Sequence, residues 1–307
     1  MNKFKSQVRE IVKKNLPLLS KAQYGERLQR LFEVGRLDLS IAKLAEAHWD
    51  AIAILAENGK KPVKNALYAV WASEIPGKKM QIKHDVTWSL TGAKMFCSGA
   101  GIVDRALITA EDFLIDLDLI NLSSEQIQIS PEPWATLAFK ETQTSTIHFK
   151  HAIFNQDNIL GEKGWYLHRK GFWPGALGPA ACWGGGAAGL VDYALLNTRK
   201  DAHTLAHLAA MEANIWGIQS LLQTAGNEIN LNSNTTIEYQ RIALKTRHLV
   251  EQLCTDTLRR FARAYGPFPL ACEANLIRRY QELDLFLRQN HGERDLEKLG
   301  ILLKEEN

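Results

Sequence analysis

What most limits the folds open to this chain is a change of hydrophobic period that happens twice. Short helical patterns at 2–16 and 23–34 break near Pro17. Between Asp38 and Glu57, apolar positions recur at three- and four-residue steps, and Ile41, Leu44, Ala45, His48, Ile52 and Leu55 fall on one stripe. That is the spacing of a helix with one buried face. Asp38 or Ser40 is placed to cap its start, and Asn58-Gly59 to stop it. From Pro62 the pattern becomes short β-prone runs at 66–71, 80–83, 87–98, 105–110, 113–117, 126–129, 136–139 and 144–149, most of them separated by turn residues. Runs of this kind without helices between them build a small antiparallel sheet or barrel rather than βαβ units. After Gly171 the helical period returns over 175–198, 204–230, 235–265, 269–290 and 295–305, broken at Asp201, Asn232-Ser233, Gly266-Pro267 and Gly292. Long helices joined by short loops pack most simply as an antiparallel bundle. The expected fold is therefore α+β and multidomain: an N-terminal helical part at 1–61, a middle antiparallel β-barrel-like domain at 62–170, and a C-terminal four-helix up-and-down bundle at 171–307.

Composition narrows function by exclusion. With 307 residues, 46% hydrophobic and 23% charged, the chain has the make-up of a soluble globular protein. A net charge of +3 is too small to argue for nucleic acid. Lys3, Lys5, Arg9, Lys13 and Lys14 make the first helix basic, which a solvated helix face explains. Lys and Arg interrupt the first twenty residues before an apolar core forms, so no signal peptide is read. No window approaches the roughly 20 apolar residues of a membrane span. Cys97, Cys182, Cys254 and Cys272 lack CxxC spacing, which argues against a disulfide framework and a zinc site. The expectation is a cytoplasmic protein without nucleic-acid or membrane partners.

Several side chains invite a function and have a plainer explanation beside it. His48 lies on the buried stripe, where a satisfied core histidine competes with a catalytic one. His203 and His207 stand at i, i+4, a spacing that can hold a metal, but no third ligand is evident and no metal is expected. Gly184-Gly185-Gly186 and Gly189 sit inside a helical pattern at a cost of about 1 kcal/mol each relative to Ala, which implies close approach by a neighbouring helix or a ligand. Trp165, Tyr166, Phe172 and Trp173 form either packing or a pocket wall. Arg278, Arg279, Arg288 and Arg294 suit either a pyrophosphate or ion pairs with Glu273, Glu282, Asp284 and Asp295.

The stretch from Trp88 to Ala100 carries the clearest ligand signal. Thr91-Gly92 reads as a tight turn, and Lys94-Met95-Phe96-Cys97-Ser98 as a strand ending at Ser98-Gly99-Ala100, where backbone can approach a ligand closely. A second strand, 104–110, follows. Small and polar groups beside an aromatic ring suit a flat heteroaromatic molecule that needs one face covered. In domain order and in these residues, the whole chain resembles the acyl-CoA dehydrogenase family of flavoproteins. Lys94 to Ser98 is similar to that family's Lys-Met-Trp-Ile-Thr strand, whose aromatic residue packs on the flavin and whose hydroxyl hydrogen-bonds near the reactive nitrogen. Trp71-Ala72-Ser73-Glu74-Ile75-Pro76-Gly77 resembles the Val-Thr-Glu-Pro-Gly loop along the flavin ring. Asn155 to Gly161 followed by Gly164 resembles the family's turn out of the middle domain. The resemblance implies FAD, held by Trp71, Ser73, Phe96 and Ser98 with Ser98 as a hydrogen-bond donor, a homodimer or homotetramer, and oxidation of an acyl thioester with hydride transfer to the flavin.

The family's base is a Glu, usually in a Tyr-Glu-Gly-Thr segment after the last long helix. A desolvated carboxylate has its pKa raised and can take the weakly acidic proton beside a thioester carbonyl. At that place this chain reads Arg288-Gln289-Asn290-His291-Gly292-Glu293, so His291 and Glu293 are the catalytic candidates. For both, the plainer reading is a charged residue at a helix end. The segment 171–190, where some members carry the base, has no carboxylate, and the family's Arg-x-x-Phe-Gly element has no counterpart around Arg199-Lys200-Asp201. Three functions stay open: a flavin dehydrogenase, a flavin-dependent monooxygenase on the same scaffold with His in place of Glu, and a non-catalytic homologue that binds or assembles.

Overall fold

The structure is a computed structural model that describes residues 3–73, 80–131, 134–231 and 235–305. In chain order the helices are α1 (Lys3–Val12), α2 (Tyr24–Leu37), α3 (Leu39–Glu57), α4 (Trp165–His168), α5 (Phe172–Gly175), α6 (Leu177–Leu196), α7 (Ala202–Ile229), α8 (Thr236–Tyr265), α9 (Pro267–Cys272), α10 (Ala274–Leu287) and α11 (Glu293–Glu305). The strands are β1 (Tyr68–Trp71), β2 (Gln81–His84), β3 (Trp88–Cys97), β4 (Arg105–Ala110), β5 (Phe113–Asp118), β6 (Ile127–Pro131), β7 (Ser145–Phe154) and β8 (Ile159–Leu160). The protein is thus mixed α+β with two small sheets. Among the described residues no helix is long and apolar enough to cross a membrane.

Contacts group the chain into two compact units, one of Met1–Asn15 with Leu44–Phe172 and one of Leu16–Lys43 with Trp173–Asn307. This grouping differs from the three parts drawn at 1–61, 62–170 and 171–307, because local pattern cannot say which partner a helix will choose.

In the β unit the strands form two four-stranded sheets, ordered β1-β4-β5-β8 and β2-β3-β7-β6. Among the described residues the pair β1–β4 is parallel and every other pair is antiparallel, a departure from the all-antiparallel expectation. Residues 136–139 were expected as a strand and instead form a turn. There the Thr136 hydroxyl accepts from Ala138 N–H at 3.1 Å and Phe139 takes a positive φ of 55°, a side-chain bond that competes with a ladder. The turn that the resemblance implied at Asn155 to Gly161 contains β8, which pairs with β5. Thr91-Gly92 is not a turn either: β3 runs through it, with a register shift between Leu90 and Gly92 that Gly92 accommodates at φ 134°.

Helix α3 contributes Ala51, Ile54 and Leu55 to a core with Tyr68, Leu107, Leu114 and Leu160. His48 is buried there, and its Nδ1 accepts the Tyr68 N–H at 3.1 Å, the satisfied core histidine. Burial first, and then the Arg9 charge, depress its pKa to about 4 against an opposing pull from Asp104. Asp104 itself is buried and accepts from Arg9, from Lys5 at 3.2 Å and from Leu67 N–H at 2.7 Å, tying α1 to the sheet.

In the helical unit α2 packs on α6 and α7, α6 on α7 and α8, and α7 on α8. The glycines of α6 explain why α2 is there. A Cβ on Gly185 would stand 2.0 Å from the Phe32 carbonyl oxygen, and one on Gly35 would stand 2.4 Å from that of Cys182. Two backbones in such contact admit no side chain between them, so packing accounts for the glycine cluster. Asp38 caps α3 by accepting from Ile41 N–H at 2.9 Å, while Ser40 is buried and donates to Glu282 at 2.7 Å. The pattern at 269–290, expected as one helix, divides into α9 and α10 at Glu273, whose backbone is extended and whose carboxylate accepts from Tyr193 Oη at 2.8 Å. Arg278 pairs with Asp38 and Glu282 at 2.7 and 2.9 Å, Arg279 donates to the carbonyls of Arg36 and Leu37, and Arg288 pairs with Asp284.

Candidate functional site

The candidate residues fall into two groups, one in each unit. In the β unit the decisive local event is a second register shift in β3, between Lys94 and Cys97. The bulge turns Phe96 outward: its φ is 56° and the residue is 58% exposed. Positive φ is a genuine outlier for a bulky residue, and Phe139 and Gln143 beside it share the feature, at 55° and 48°. Strain concentrated in this way persists only where the surroundings over-determine it.

Those surroundings are a set of cross-strand hydrogen bonds. Gly99 N–H donates to the Thr142 carbonyl at 2.7 Å, and Trp71, buried at the end of β1, donates its Nε1–H to the Ser98 carbonyl at 3.0 Å. Lys94, buried in β3, donates to Thr109 Oγ1 at 2.7 Å, which joins the two sheets behind the bulge. Trp71 and Ser98 are therefore brought together. Ser73 is exposed just beyond β1, and Glu74 to Gly77 of the loop motif lie outside the described residues.

The hydroxyls here have a direction. Thr142 Oγ1 donates to the Phe139 carbonyl at 2.7 Å, so its only proton is spent. Its 3.0 Å contact with Thr144 then requires Thr144 to donate, and the 2.9 Å contact of Thr144 with Ser98 requires Ser98 to donate in turn. The Ser98 oxygen is left with lone pairs and no proton for a ligand. The resemblance implied a donor role for it. Thr142 and Thr144 were missed in the sequence, although the hydroxyl-rich run Thr142-Gln143-Thr144-Ser145-Thr146 was visible. The set fits a flavin: an exposed ring to cover a flat face, with an oriented hydroxyl oxygen two residues away.

In the helical unit His291 and Glu293 both line an open cavity of about 290 Å³, with His248, Glu251, Arg288 and Asn290. His291 is the last residue but one before α11, Gly292 turns the chain at φ 55°, and Glu293 opens the helix. The His291 side chain is 64% exposed and its Nδ1 lies 3.5 Å from Asp295 Oδ1. Glu293 is exposed in the first helical turn, where a carboxylate complements the helix dipole. Arg247 of α8 holds this connection from behind. Buried over the Trp183 ring at 4.9 Å, it donates to the Ala176 carbonyl at 2.6 Å and to the Gln289 carbonyl at 3.3 Å. Nothing in the sequence marks Arg247 or His248, since both act across the helical unit.

The other candidates resolve into packing. His203 and His207 stack edge to face at 4.6 Å, and among the described residues no three His, Cys, Asp or Glu side chains are grouped to hold a metal. Tyr166 packs edge-on to Phe172 at 5.7 Å and lies under Arg169, which pairs with Glu57 at 3.0 Å.

No protein-family model matches the sequence, and no curated protein does. Solved structures match closely in shape. Methanesulfinate monooxygenase MsuC from Pseudomonas fluorescens superposes with a TM-score of 0.77 at 16% identity, covering 93% of this chain and 84% of that one. FMN-bound TdsC from Paenibacillus sp. A11-2 gives 0.79 at 13%, covering 99% and 95%. PigA with FAD and proline gives 0.79 at 13%, covering 99% and 89%. At these identities the likeness shows the fold, that of the acyl-CoA dehydrogenase-like enzymes.

Proposed function

We propose that this chain is a flavin-dependent oxidoreductase of the monooxygenase type, one that takes its flavin in the reduced state. The observation that carries the reading is the polarity of the Thr142–Thr144–Ser98 relay. Oxidised flavin presents a lone pair at its reactive nitrogen and reduced flavin presents an N–H; an outward lone pair on Ser98 complements the second and repels the first. A dehydrogenase begins from the oxidised cofactor, and a monooxygenase begins from the reduced one. When bound, a flavin supplies two-electron and oxygen chemistry that side chains lack. Phe96 covers one face, Ser98 orients the ring edge, Ser73 is a further hydroxyl at the end of β1, and Trp71 fixes the Ser98 backbone. His291, whose Nδ1 lies 3.5 Å from Asp295 Oδ1, is the candidate acid–base group of the helical unit.

Oxidation of an acyl thioester on FAD is the second reading, supported by the motif at Lys94 to Ser98. Against it, the exposed Glu293 is not the desolvated carboxylate that an α-proton calls for. FMN serves the first reading as well as FAD does.

Anaerobic titration of the protein with FMN and with FAD, each oxidised and reduced, tests the proposal. Reduced flavin is expected to bind roughly tenfold tighter or more, the size of one hydrogen bond gained against one repulsive contact. The Thr144→Val variant, which frees the Ser98 proton, is expected to lose that preference. Tighter binding of the oxidised form, with bleaching by an acyl-CoA, would support thioester oxidation instead. A protein that takes up neither flavin in either state is the non-catalytic homologue.

A further inference from the structure

The cavity lined by α8 and by the connection from α10 to α11 has walls that select by charge. Arg288 and the carboxylates of Glu251 and Glu293 line it beside the polar side chains of His248, His291 and Asn290. The charge of Arg288 is already answered: its Nη2 donates to Asp284 Oδ1 at 3.0 Å and its Nε to the Asp284 carbonyl at 3.1 Å. The two carboxylates of the cavity have no such partner. Among the described residues Glu251 accepts from neutral donors alone, Thr255 Oγ1 at 2.7 Å and Gln252 Nε2 at 2.8 Å. Glu293 makes no side-chain hydrogen bond or ion pair there, and neither do the imidazole of His248 and the amide of Asn290. Lys298, further along α11, pairs with Asp295 at 3.7 Å and not with Glu293.

One space in the helical unit is thus bordered by unanswered negative charge and by unused acceptors. An ammonium group carries three donors and no acceptor, so carboxylate, amide and imidazole acceptors from two different helices are what it requires. Hydrogen bonds from a cation to a carboxylate are stronger than neutral ones. Leu287 and Leu296 also line the cavity and offer apolar contact to a short carbon chain. An anion would be repelled by both carboxylates, and a long acyl chain would find little apolar wall beyond these two leucines.

We infer that this cavity binds a small aliphatic amine in its charged form, with Glu251 and Glu293 holding the ammonium, His248 and Asn290 completing its hydrogen bonds, and Leu287 and Leu296 against its carbon chain. The inference concerns the ligand of the cavity and does not rest on the flavin reading; where that reading also holds, it gives the class of substrate.

The test is an NMR titration of the histidine ring protons of the full chain with n-butylammonium chloride, at constant pH and without flavin. Saturable shifts at His248 and His291 are expected, weakening with added salt as screened charge pairs do. Butan-1-ol, of the same shape without the charge, and butyrate, with the opposite charge, are expected to give no saturable shift at the same concentrations. Glu293→Gln and Glu251→Gln are each expected to weaken binding roughly three- to fivefold, the upper range for a solvent-exposed ion pair. Glu293 is exposed and unpartnered, so it reports even if Glu251→Gln disturbs α8, and weakening in either variant supports the site. Glu212→Gln, on α7 and outside the lining, is expected to leave binding unchanged. Four results overturn the inference: no saturable shift at either ring, butan-1-ol or butyrate binding as tightly as butylammonium, unchanged binding in both cavity variants, or an equal weakening in Glu212→Gln. Because flavin is absent, each of these would remove the amine and leave the preference for reduced flavin to its own titration.

Discussion

The end of β3 and the connection between α10 and α11 both carry candidate functional side chains next to residues of positive φ, yet they are held in opposite ways. At Phe96–Gly99 the support comes from distant segments: Trp71 at the end of β1, and Thr142 and Thr144 just before β7, fix the backbone and set the direction of the Ser98 hydroxyl. At Arg288–Asp295 the side chains are mostly exposed, their partners are three or four residues away on the same segment, and one buried arginine supplies the long-range support. The first arrangement is preorganised, so its chemistry can be read from its hydrogen bonds. The second is held at its backbone and exposed at its tips.

The strongest way to break this contrast is to remove the long-range support of the looser region. Arg247→Met deletes the hydrogen bonds to the Ala176 and Gln289 carbonyls and leaves both without their cationic donor. Charge-assisted bonds of this kind are worth about 1.5–3 kcal/mol each, so urea denaturation is expected to show a loss of about 3 kcal/mol or more. A loss below about 1 kcal/mol would mean that the connection is held by something other than Arg247.

Next in size is the effect of the buried histidine in the β unit, His48. The pKa of His48 lies near 4 in the folded state, against about 6.5 when unfolded. Between those values the unfolded chain binds the extra proton, so stability is full above pH 6.5 and falls as the pH drops towards 4, by about 3 kcal/mol in total. His48→Gln can still accept from Tyr68 N–H and is expected to flatten that slope in denaturation curves taken from pH 4 to 7.

The same contrast decides how much was legible in the sequence. The double change of period foretold the order of helices and short strands, because periodicity is a local property of buried faces. It did not reveal that α2 joins the helical unit, since Gly35 and Gly185 have to be seen against each other before either explains α2. Local hydroxyl and capping bonds also overrode β propensity at 136–139. For the site, Phe96 and Ser98 could be picked out as residue types, but the polarity of Ser98 depends on which way Thr142 donates, which is set by a carbonyl that strand pattern does not encode. Arg247 and His248 left no trace because a residue that acts across a helical unit has no characteristic spacing.

A smaller effect tests the preorganised region. Thr142 is fully buried, and Thr142→Val removes its bond to the Phe139 carbonyl as well as the acceptor for Thr144. The Phe139 carbonyl still accepts from Thr142 N–H at 3.1 Å, so the expected loss of stability is that of one ordinary hydrogen bond, about 1 kcal/mol. The preference for reduced flavin should fall with it, because Thr144 is then free to turn its proton towards Ser98. Loss of stability with the preference intact would separate the relay from the cofactor.

The smallest expected change is the one that most sharpens the difference between the regions. His291→Ala removes an exposed ring whose partner, Asp295, keeps Lys298 at 3.7 Å. Exposed i, i+4 pairs contribute about 0.3–0.5 kcal/mol, so the variant should unfold within about 0.5 kcal/mol of the parent and bind reduced flavin equally well. If His291 handles the proton, turnover should nevertheless fall by two orders of magnitude or more, the usual scale of general acid–base catalysis. A variant that keeps its turnover would leave His291 as a surface residue at a helix end and move the search to His248 in the same cavity. Turnover that falls only in step with lost stability would mean that this region is structural after all, and the contrast between a fixed platform and a free proton carrier would no longer hold.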